Sequence, residues 1–304
     1  MSGPPDPGLA ARRRNVGIAC VVASAVAFGA MAILARVAFA SGIDTVTLLA
    51  MRFAIGSVVM NALLRARNLA FPRGSMLGAL VALGALGYGG QAISYFTALK
   101  LAPVGLAALL LYLHPAMVAL LAAVFLHERL TAGKLTALVV ALVGTTLTVV
   151  PAIGDNAISA APHIATGLAF AVASAAFYAV YIVVAASLGK RAAPLAMSTV
   201  VITSAALVFV VGALVRGPQW PQTATGWVAV VSIALLSTVL AITLYFAGLE
   251  RIGPVRASTL STVEPLCTVI LAALVLDESL TAVQLVGGAL ILTAAVLIAR
   301  ARAT

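Results

Sequence analysis

The chain has 304 residues, 63% of them hydrophobic and only 9% charged, with a mean hydropathy of +1.17. Soluble domains are about 45–50% apolar and about 25% charged, so a chain this poor in charge cannot cover a water-facing surface, which argues against a soluble enzyme. The net charge of +10 would suggest nucleic acid in a soluble protein, but here the basic residues sit in short gaps between apolar runs, as membrane topology requires.

Residues 1–15 are polar and rich in Pro and Gly, ending in Arg12-Arg13-Arg14, and read as a disordered cytoplasmic N-terminus. A basic run can open a signal peptide. The apolar stretch that follows is too long for one and lacks a small-residue cleavage context, so it reads as the first retained span. A membrane helix needs roughly 20 apolar residues. Ten segments qualify: 16–39, 45–64, 76–98, 104–125, 132–150, 164–187, 195–215, 226–248, 255–276 and 282–299. Breakers such as Ser41-Gly42, Phe71-Pro72, Gly217-Pro218 and Gly253-Pro254 separate them.

Basic residues in alternate loops set the orientation. Arg12 to Arg14, Arg65, Arg67, Arg73, Arg129, Lys134, Lys190, Arg191, Arg251, Arg256, Arg300 and Arg302 fall on one side, fourteen in all, against Lys100 and Arg216 on the other. Both termini are therefore expected in the cytoplasm. Arg36 and Arg52 lie within spans. Arg52 is about 10 Å deep at 1.5 Å per residue, a depth from which it can snorkel outward and be structural.

Polar groups at mid-span depth are costly unless they face a cavity or a partner. Span one carries Ser24, Phe28 and Met31, and span six Ser174, Tyr178 and Tyr181, rows that can line an apolar pocket or simply pack. In span three Tyr88, Gln91 and Tyr95 share one helical face amid Gly84, Gly87, Gly89 and Gly90. That face reads as a cavity wall; a glycine packing seam is the alternative. Span four has Tyr112, His114 and Pro115. Span eight offers Ser237, Thr238 and Tyr245, and span nine Ser258, Ser261, Glu264 and Pro265.

Each proline deletes a backbone hydrogen bond and disfavours helix just before it. Pro115 and Pro265 are thus expected to break their helices and act as hinges or gates, freeing the carbonyls of residues 111 and 261. Glu264 is the one acid expected deep in a span and needs a partner: His114, Arg52 or a substrate ammonium. Glu128 and Glu278 precede Leu-Thr and a new helix, where capping is expected. Cys20 and Cys267 sit in apolar runs and read as buried apolar residues. No phosphate loop, zinc motif or catalytic triad is present, so no enzyme activity, cofactor or metal is expected.

Sliding the chain by 150 residues superimposes Val22-Ala23-Ser24-Ala25 on Val172-Ala173-Ser174-Ala175, Tyr95-Phe96 on Tyr245-Phe246, Pro115 on Pro265, and Glu128 with Leu130-Thr131 on Glu278 with Leu280-Thr281. Rare residue types recurring at one offset indicate a duplicated unit. Five spans per unit is an odd number, so the second copy enters the membrane from the other side. The loop after span four carries Arg129 and Lys134, whereas its equivalent has Ser279 and Gln284. Inverted repeats with paired midplane prolines are a transporter architecture.

On Met51-Arg52-Phe53, His127-Glu128-Arg129-Leu130-Thr131, Asp277-Glu278-Ser279-Leu280-Thr281 and Glu264-Pro265, the chain resembles the drug/metabolite transporter superfamily, specifically ten-span EamA-type exporters. Within it the chain is similar to bacterial exporters of aromatic and other neutral amino acids. The resemblance implies an inner-membrane location and outward movement of small metabolites. The expectation is an all-α polytopic membrane protein. Ten helices form two inverted five-helix repeats, 16–150 and 164–300, around a central cavity. It would act as a monomer in the lipid bilayer, exporting a small-molecule substrate by alternating access, with no nucleic-acid partner. Tyr88, Gln91, Tyr95, Tyr112, His114, Tyr178, Thr238, Tyr245 and Glu264 are its candidate substrate contacts. Export of other drugs or metabolites, or a channel that never alternates, are the alternatives.

Overall fold

The computed structural model describes residues 7–102, 104–150, 163–189, 192–276 and 281–300. Among them the chain is helical, with no strand. The helices are α1 (Pro7–Ala40), α2 (Thr45–Ala66), α3 (Ser75–Ala82), α4 (Gly89–Leu101), α5 (Val104–Leu111), α6 (His114–Phe125) and α7 (Ala132–Val149). They continue with α8 (Ile164–Leu188), α9 (Pro194–Arg216), α10 (Ala224–Ala234), α11 (Ala241–Ile252), α12 (Pro254–Ser261), α13 (Val263–Leu276) and α14 (Ala282–Arg300). Two π-helical turns, Leu83–Tyr88 and Leu235–Leu240, join α3 to α4 and α10 to α11 without a break. Among the described residues, seven stretches are long and apolar enough to cross a membrane unbroken, and two more apolar helices, Leu109–Phe125 and Ala282–Ile298, are shorter.

The first helix departs from expectation. It begins at Pro7, so Arg12 to Arg14 form its early turns instead of a disordered tail. Proline suits a first helical position, and Leu9, Ala10, Ala11 and Arg12 to Arg14 are strong helix formers that outweigh Gly8. Residues 1–6 lie outside the described residues. Other helix starts are capped by side chains. Asp44 accepts from the amides of Val46 (2.8 Å) and Thr47 (3.2 Å), and Thr223 accepts from Gly226 N–H. Burial raises the Asp44 carboxyl's pKa, but hydrogen bonds from Thr47, Val46 and Gln219 outweigh that and hold it below the ordinary value.

The cap of α7 is Thr131, whose hydroxyl accepts from Lys134 N–H. Glu128 has a different task from the capping expected of it: Thr131 holds the cap position, and the Glu128 carboxylate instead holds the buried Lys134 ammonium at 2.9 Å. In the second half Thr281 and Gln284 cap each other, Gln284 Oε1 accepting from Thr281 N–H at 2.9 Å and Thr281 Oγ1 from Gln284 N–H at 3.2 Å. Glu278 lies outside the described residues.

Packing repeats at the offset of 150. Helix α7 lies on α14, α2 on α9, α1 on α11 and α4 on α8. Gly17 presses against Arg251 and Ile252, and Gly167 against Leu101 and Ala102, both partners displaced by 150. Ser24 Oγ donates to the carbonyl of Ala241 at 2.7 Å, and Ser174 Oγ to that of Gln91 at 3.1 Å, again displaced by 150. Two matched pairs of contacts place equivalent residues in equivalent surroundings. The duplication is therefore one of structure as well as sequence.

The outer face is apolar. Val215, Leu274, Val58 and Leu214 are all at least 70% exposed, a liability in water and a suitable surface for lipid tails. The interior holds Phe53, Tyr88, Tyr181 and Phe246 together with buried Ser24, Ser174, Ser237, Thr238, Ser258 and Ser261.

Candidate functional site

The two proline positions behave alike. Leu111 ends α5 and His114 begins α6; Ser261 ends α12 and Val263 begins α13. Each break is a tight turn, with Leu113 N–H on Leu110 O at 3.2 Å and Thr262 N–H on Thr259 O at 3.3 Å, rather than an unwound segment. The carbonyl freed by Pro115 is already occupied: His114 Nδ1 lies 3.0 Å from Leu111 O. His114 Nε2 is 3.5 Å from Ser261 Oγ. The histidine thus spans from its own break to the other one, and α6 rests on α12. It makes no bond to Glu264.

Glu264 stands in the first turn of α13, where the helix dipole favours a negative charge. It is half-buried, and its carboxylate forms no hydrogen bond or ion pair among the described residues. Its backbone is tightly held: the α-carbon of Gly29 packs so close that an added Cβ would lie 3.0 Å from Glu264 O. Thr268 Oγ1 donates to both Gly29 O and Glu264 O at 3.1 Å. Three residues before Glu264, Ser261 Oγ lies 3.5 Å from His114 Nε2, and the His114 ring lies 4.6 Å from that of Tyr178, so the break that precedes Glu264 adjoins the tyrosine set.

Arg52 does not snorkel. It is 4% exposed and turned inward. Its Nε donates to Thr238 Oγ1 at 2.7 Å, and its Nη2 to Tyr88 OH at 3.0 Å and to Ser237 O at 3.4 Å. Tyr88 closes the first π turn, and Ser237 and Thr238 lie in the second, so one side chain from α2 ties both together. The wide π turns make this reach possible: Gly89 N–H bonds back five residues to Gly84 O, and Thr238 Oγ1 donates to Ile233 O at 3.1 Å. Such turns cluster at functional sites. Inward bonds to three groups outweigh the gain from reaching water at the interface.

Aromatic rings connect these parts. His114 and Tyr178 are 4.6 Å apart, Tyr178 and Tyr181 6.0 Å, Tyr181 and Tyr88 5.4 Å, and Tyr88 and Phe53 5.4 Å. Tyr112 joins at His114 (6.3 Å) and Phe246 at Tyr181 (6.0 Å). All six tyrosines of the chain are buried or half-buried in the bundle. The two tryptophans, Trp220 and Trp227, instead stack on each other at the exposed rim, 6.3 Å apart.

The remaining candidates divide. Gln91 donates from Nε2 to Ser174 Oγ at 3.3 Å, linking α4 to α8. Tyr95 is half-buried beside Phe96. Tyr245 is buried, and its hydroxyl has no partner among the described residues. Tyr181 and Phe53 belong to the ring set although neither was among the candidates. Tyr181 was legible three residues after Tyr178, whereas Phe53 stands out in the sequence only as part of Met51-Arg52-Phe53, with nothing to mark its ring as part of the site. A separate apolar groove of about 340 Å³ lies between α1 and α10, lined by Leu34, Val37, Ala224, Thr225, Val228 and Ala229. It carries none of this chemistry.

A helical bundle with an apolar coat, duplicated contacts and a polar, aromatic centre defines a membrane transporter. The EamA-like transporter family matches residues 15–150 and again 165–300, and the chain belongs to that family. Over 292 residues it is 29% identical to an uncharacterized transporter of Archaeoglobus fulgidus, covering 95% of this chain and 97% of that one. It is 26% identical over 199 residues to an uncharacterized transporter of Synechocystis, covering 64% of this chain and 59% of that one. A crystal structure with a TM-score of 0.80 at 22% identity, covering 92% of this chain and 95% of the other, has the same fold.

Proposed function

We propose that the protein is a secondary exporter of small metabolites, amino acids including aromatic ones, working by alternating access in the bacterial inner membrane. The broken pairs α5–α6 and α12–α13 then each count as one span, giving ten, with both termini in the cytoplasm and the second five-helix repeat inverted. The observation that carries this reading is the pair of bonds Ser24–Ala241 and Ser174–Gln91. Two halves that hold each other by equivalent bonds can exchange conformations, so a site between them opens to each side in turn. Helix breaks at both prolines, joined through His114 and Ser261 and with Glu264 in the first turn after the second, support a site at half-helix ends.

The halves are equivalent in backbone but not in chemistry. Gln91 is the repeat equivalent of Ala241, Tyr88 of Thr238, and His114 of Glu264. An asymmetric substrate fits such a lining. The tyrosines supply hydroxyls and ring faces, and the absence of an ATP-binding motif from the sequence points to a solute or ion gradient as the driving force. Purified protein reconstituted into liposomes should accumulate labelled phenylalanine, tryptophan and leucine, faster with an imposed pH gradient. If none of the three crosses faster than into protein-free liposomes, the amino-acid reading falls.

A further inference from the structure

We propose that Arg52 and Glu264 are the two poles of a zwitterion site, Arg52 taking the carboxylate and Glu264 the ammonium of a neutral α-amino acid. The proposal rests on the amino-acid reading above and deepens it. Arg52 is a buried cation whose bonds all go to neutral groups: two hydroxyls and one carbonyl. They occupy Nε and Nη2, and Nη1 makes no bond to the described residues. No carboxylate among the described residues pairs with it. Removing a guanidinium from water without a counter-ion is unfavourable, and neutral acceptors recover only part of that cost.

Glu264 is the complement. Its carboxylate is also deep in the bundle and also without a cation bonded to it. Geometry joins the two: Arg52 bonds Tyr88, rings continue from Tyr88 through Tyr181 and Tyr178 to His114, and His114 Nε2 lies 3.5 Å from Ser261 Oγ at the break that precedes Glu264. The substrate is assigned to the space beside these rings, between the two poles. An α-amino acid carries its carboxylate and ammonium on one carbon, so a single molecule in that space completes both ion pairs. Its side chain then falls against the rings of Tyr88, Tyr178 and Tyr181, which favours apolar and aromatic side chains.

The arrangement also selects. An amine lacking the carboxylate leaves Arg52 unpaired, and an acid lacking the ammonium leaves Glu264 unpaired. A site whose buried polar group loses its partner rejects the ligand strongly. Because Arg52 holds both π turns, a carboxylate on Nη1 is bound by the same side chain that ties the first half to the second, which links occupancy to the relation between them.

The test uses the full chain in liposomes and competition against labelled phenylalanine by three probes: phenylalanine itself, phenethylamine and 3-phenylpropionate. Wild type should bind each of the two truncated probes about tenfold or more weakly than phenylalanine. In R52Q the penalty for losing the carboxylate should vanish while the penalty for losing the amine remains; E264Q should show the reverse. R52Q that still discriminates phenylalanine from phenethylamine like wild type overturns the Arg52 assignment, and the corresponding result in E264Q overturns that of Glu264. If either variant fails to fold, the wild-type series decides alone: truncated probes that compete as well as phenylalanine overturn the proposal. Should labelled phenylalanine not be transported at all, the amino-acid reading fails with it. Phenylalanine transport without the two selectivities refutes the poles and leaves that reading standing.

Discussion

Arg52 Nε lies 2.7 Å from Thr238 Oγ1, a bond across 186 residues of chain that joins α2 of the first half to the second π turn. Thr238 is the repeat equivalent of Tyr88, and Tyr88 accepts from the same guanidinium at 3.0 Å. One cation thus reads the same position in both halves.

Thr238→Val keeps the shape of the side chain and removes the acceptor, leaving a buried N–H of Arg52 without a partner. Such an orphaned donor costs about 1–3 kcal/mol. The variant should insert normally but melt at lower temperature in detergent and transport several-fold more slowly. An unchanged melting temperature would show that the bond contributes nothing.

Gln91→Ala should spare the fold. Ser174 Oγ donates to the backbone carbonyl of residue 91, and that bond survives truncation of the side chain. Alanine already stands at the equivalent position 241 and supports the matching bond from Ser24. Transport should weaken while the melting temperature stays within the change of about 0.5 kcal/mol typical of benign substitutions. A collapse in stability would make Gln91 a packing residue only.

Glu264→Gln retains shape and hydrogen-bonding capacity but cannot ionise. If Glu264 exchanges a proton for the substrate ammonium, uptake by wild type varies from about pH 5 to about pH 8 and uptake by the variant does not. Transport by the variant that tracks wild type across that range assigns Glu264 a structural role and makes facilitated diffusion the mode of transport.

Gly144 and Gly287 bring α7 and α14 into backbone contact. A Cβ on Gly144 would lie 2.8 Å from Gly287 O and 2.9 Å from Ile291 N. Backbone cannot yield as a flexible side chain can, so Gly144→Ala should destabilise by about 1–3 kcal/mol, read as earlier thermal unfolding. The atoms that crowd a Cβ on Gly144 belong to Gly287 and Ile291 and to none of the candidate site side chains, so the residual folded protein should keep its substrate preference.

The inverted topology has a direct readout. With Cys20 and Cys267 replaced, a cysteine introduced at position 156 should react with an impermeant thiol reagent from outside the cell, and one at position 70 only after the membrane is permeabilised. Labelling of both from one side would refute the ten-span arrangement.

Much of this molecule is written in its one-dimensional pattern. Apolar runs of membrane length between basic loops and glycine or proline breakers fix helices α2, α7, α8 and α9 to within a few residues, because backbone polar groups in lipid must bond within their own segment. The recurrence at 150 residues is also legible, since duplication copies rare residues along with common ones, and Gly17 with Gly167 and Ser24 with Ser174 then make matching contacts. The π turns left no comparable mark: a single inserted residue widens a helix without changing its composition. The direction of Arg52 was equally hidden. Depth alone permits an arginine to reach outward, and only the arrival of Thr238, Ser237 and Tyr88 from distant segments makes inward bonding the lower-energy choice. His114 shows the same limit, because the carbonyl its neighbouring proline frees is captured by its own ring. Sequence determined which groups are buried and where the chain must turn, through the cost of polar atoms in hydrocarbon. Tertiary packing decided which of those groups found each other, because hydrogen bonds and ring contacts between segments far apart in the chain depend on positions that no local pattern encodes.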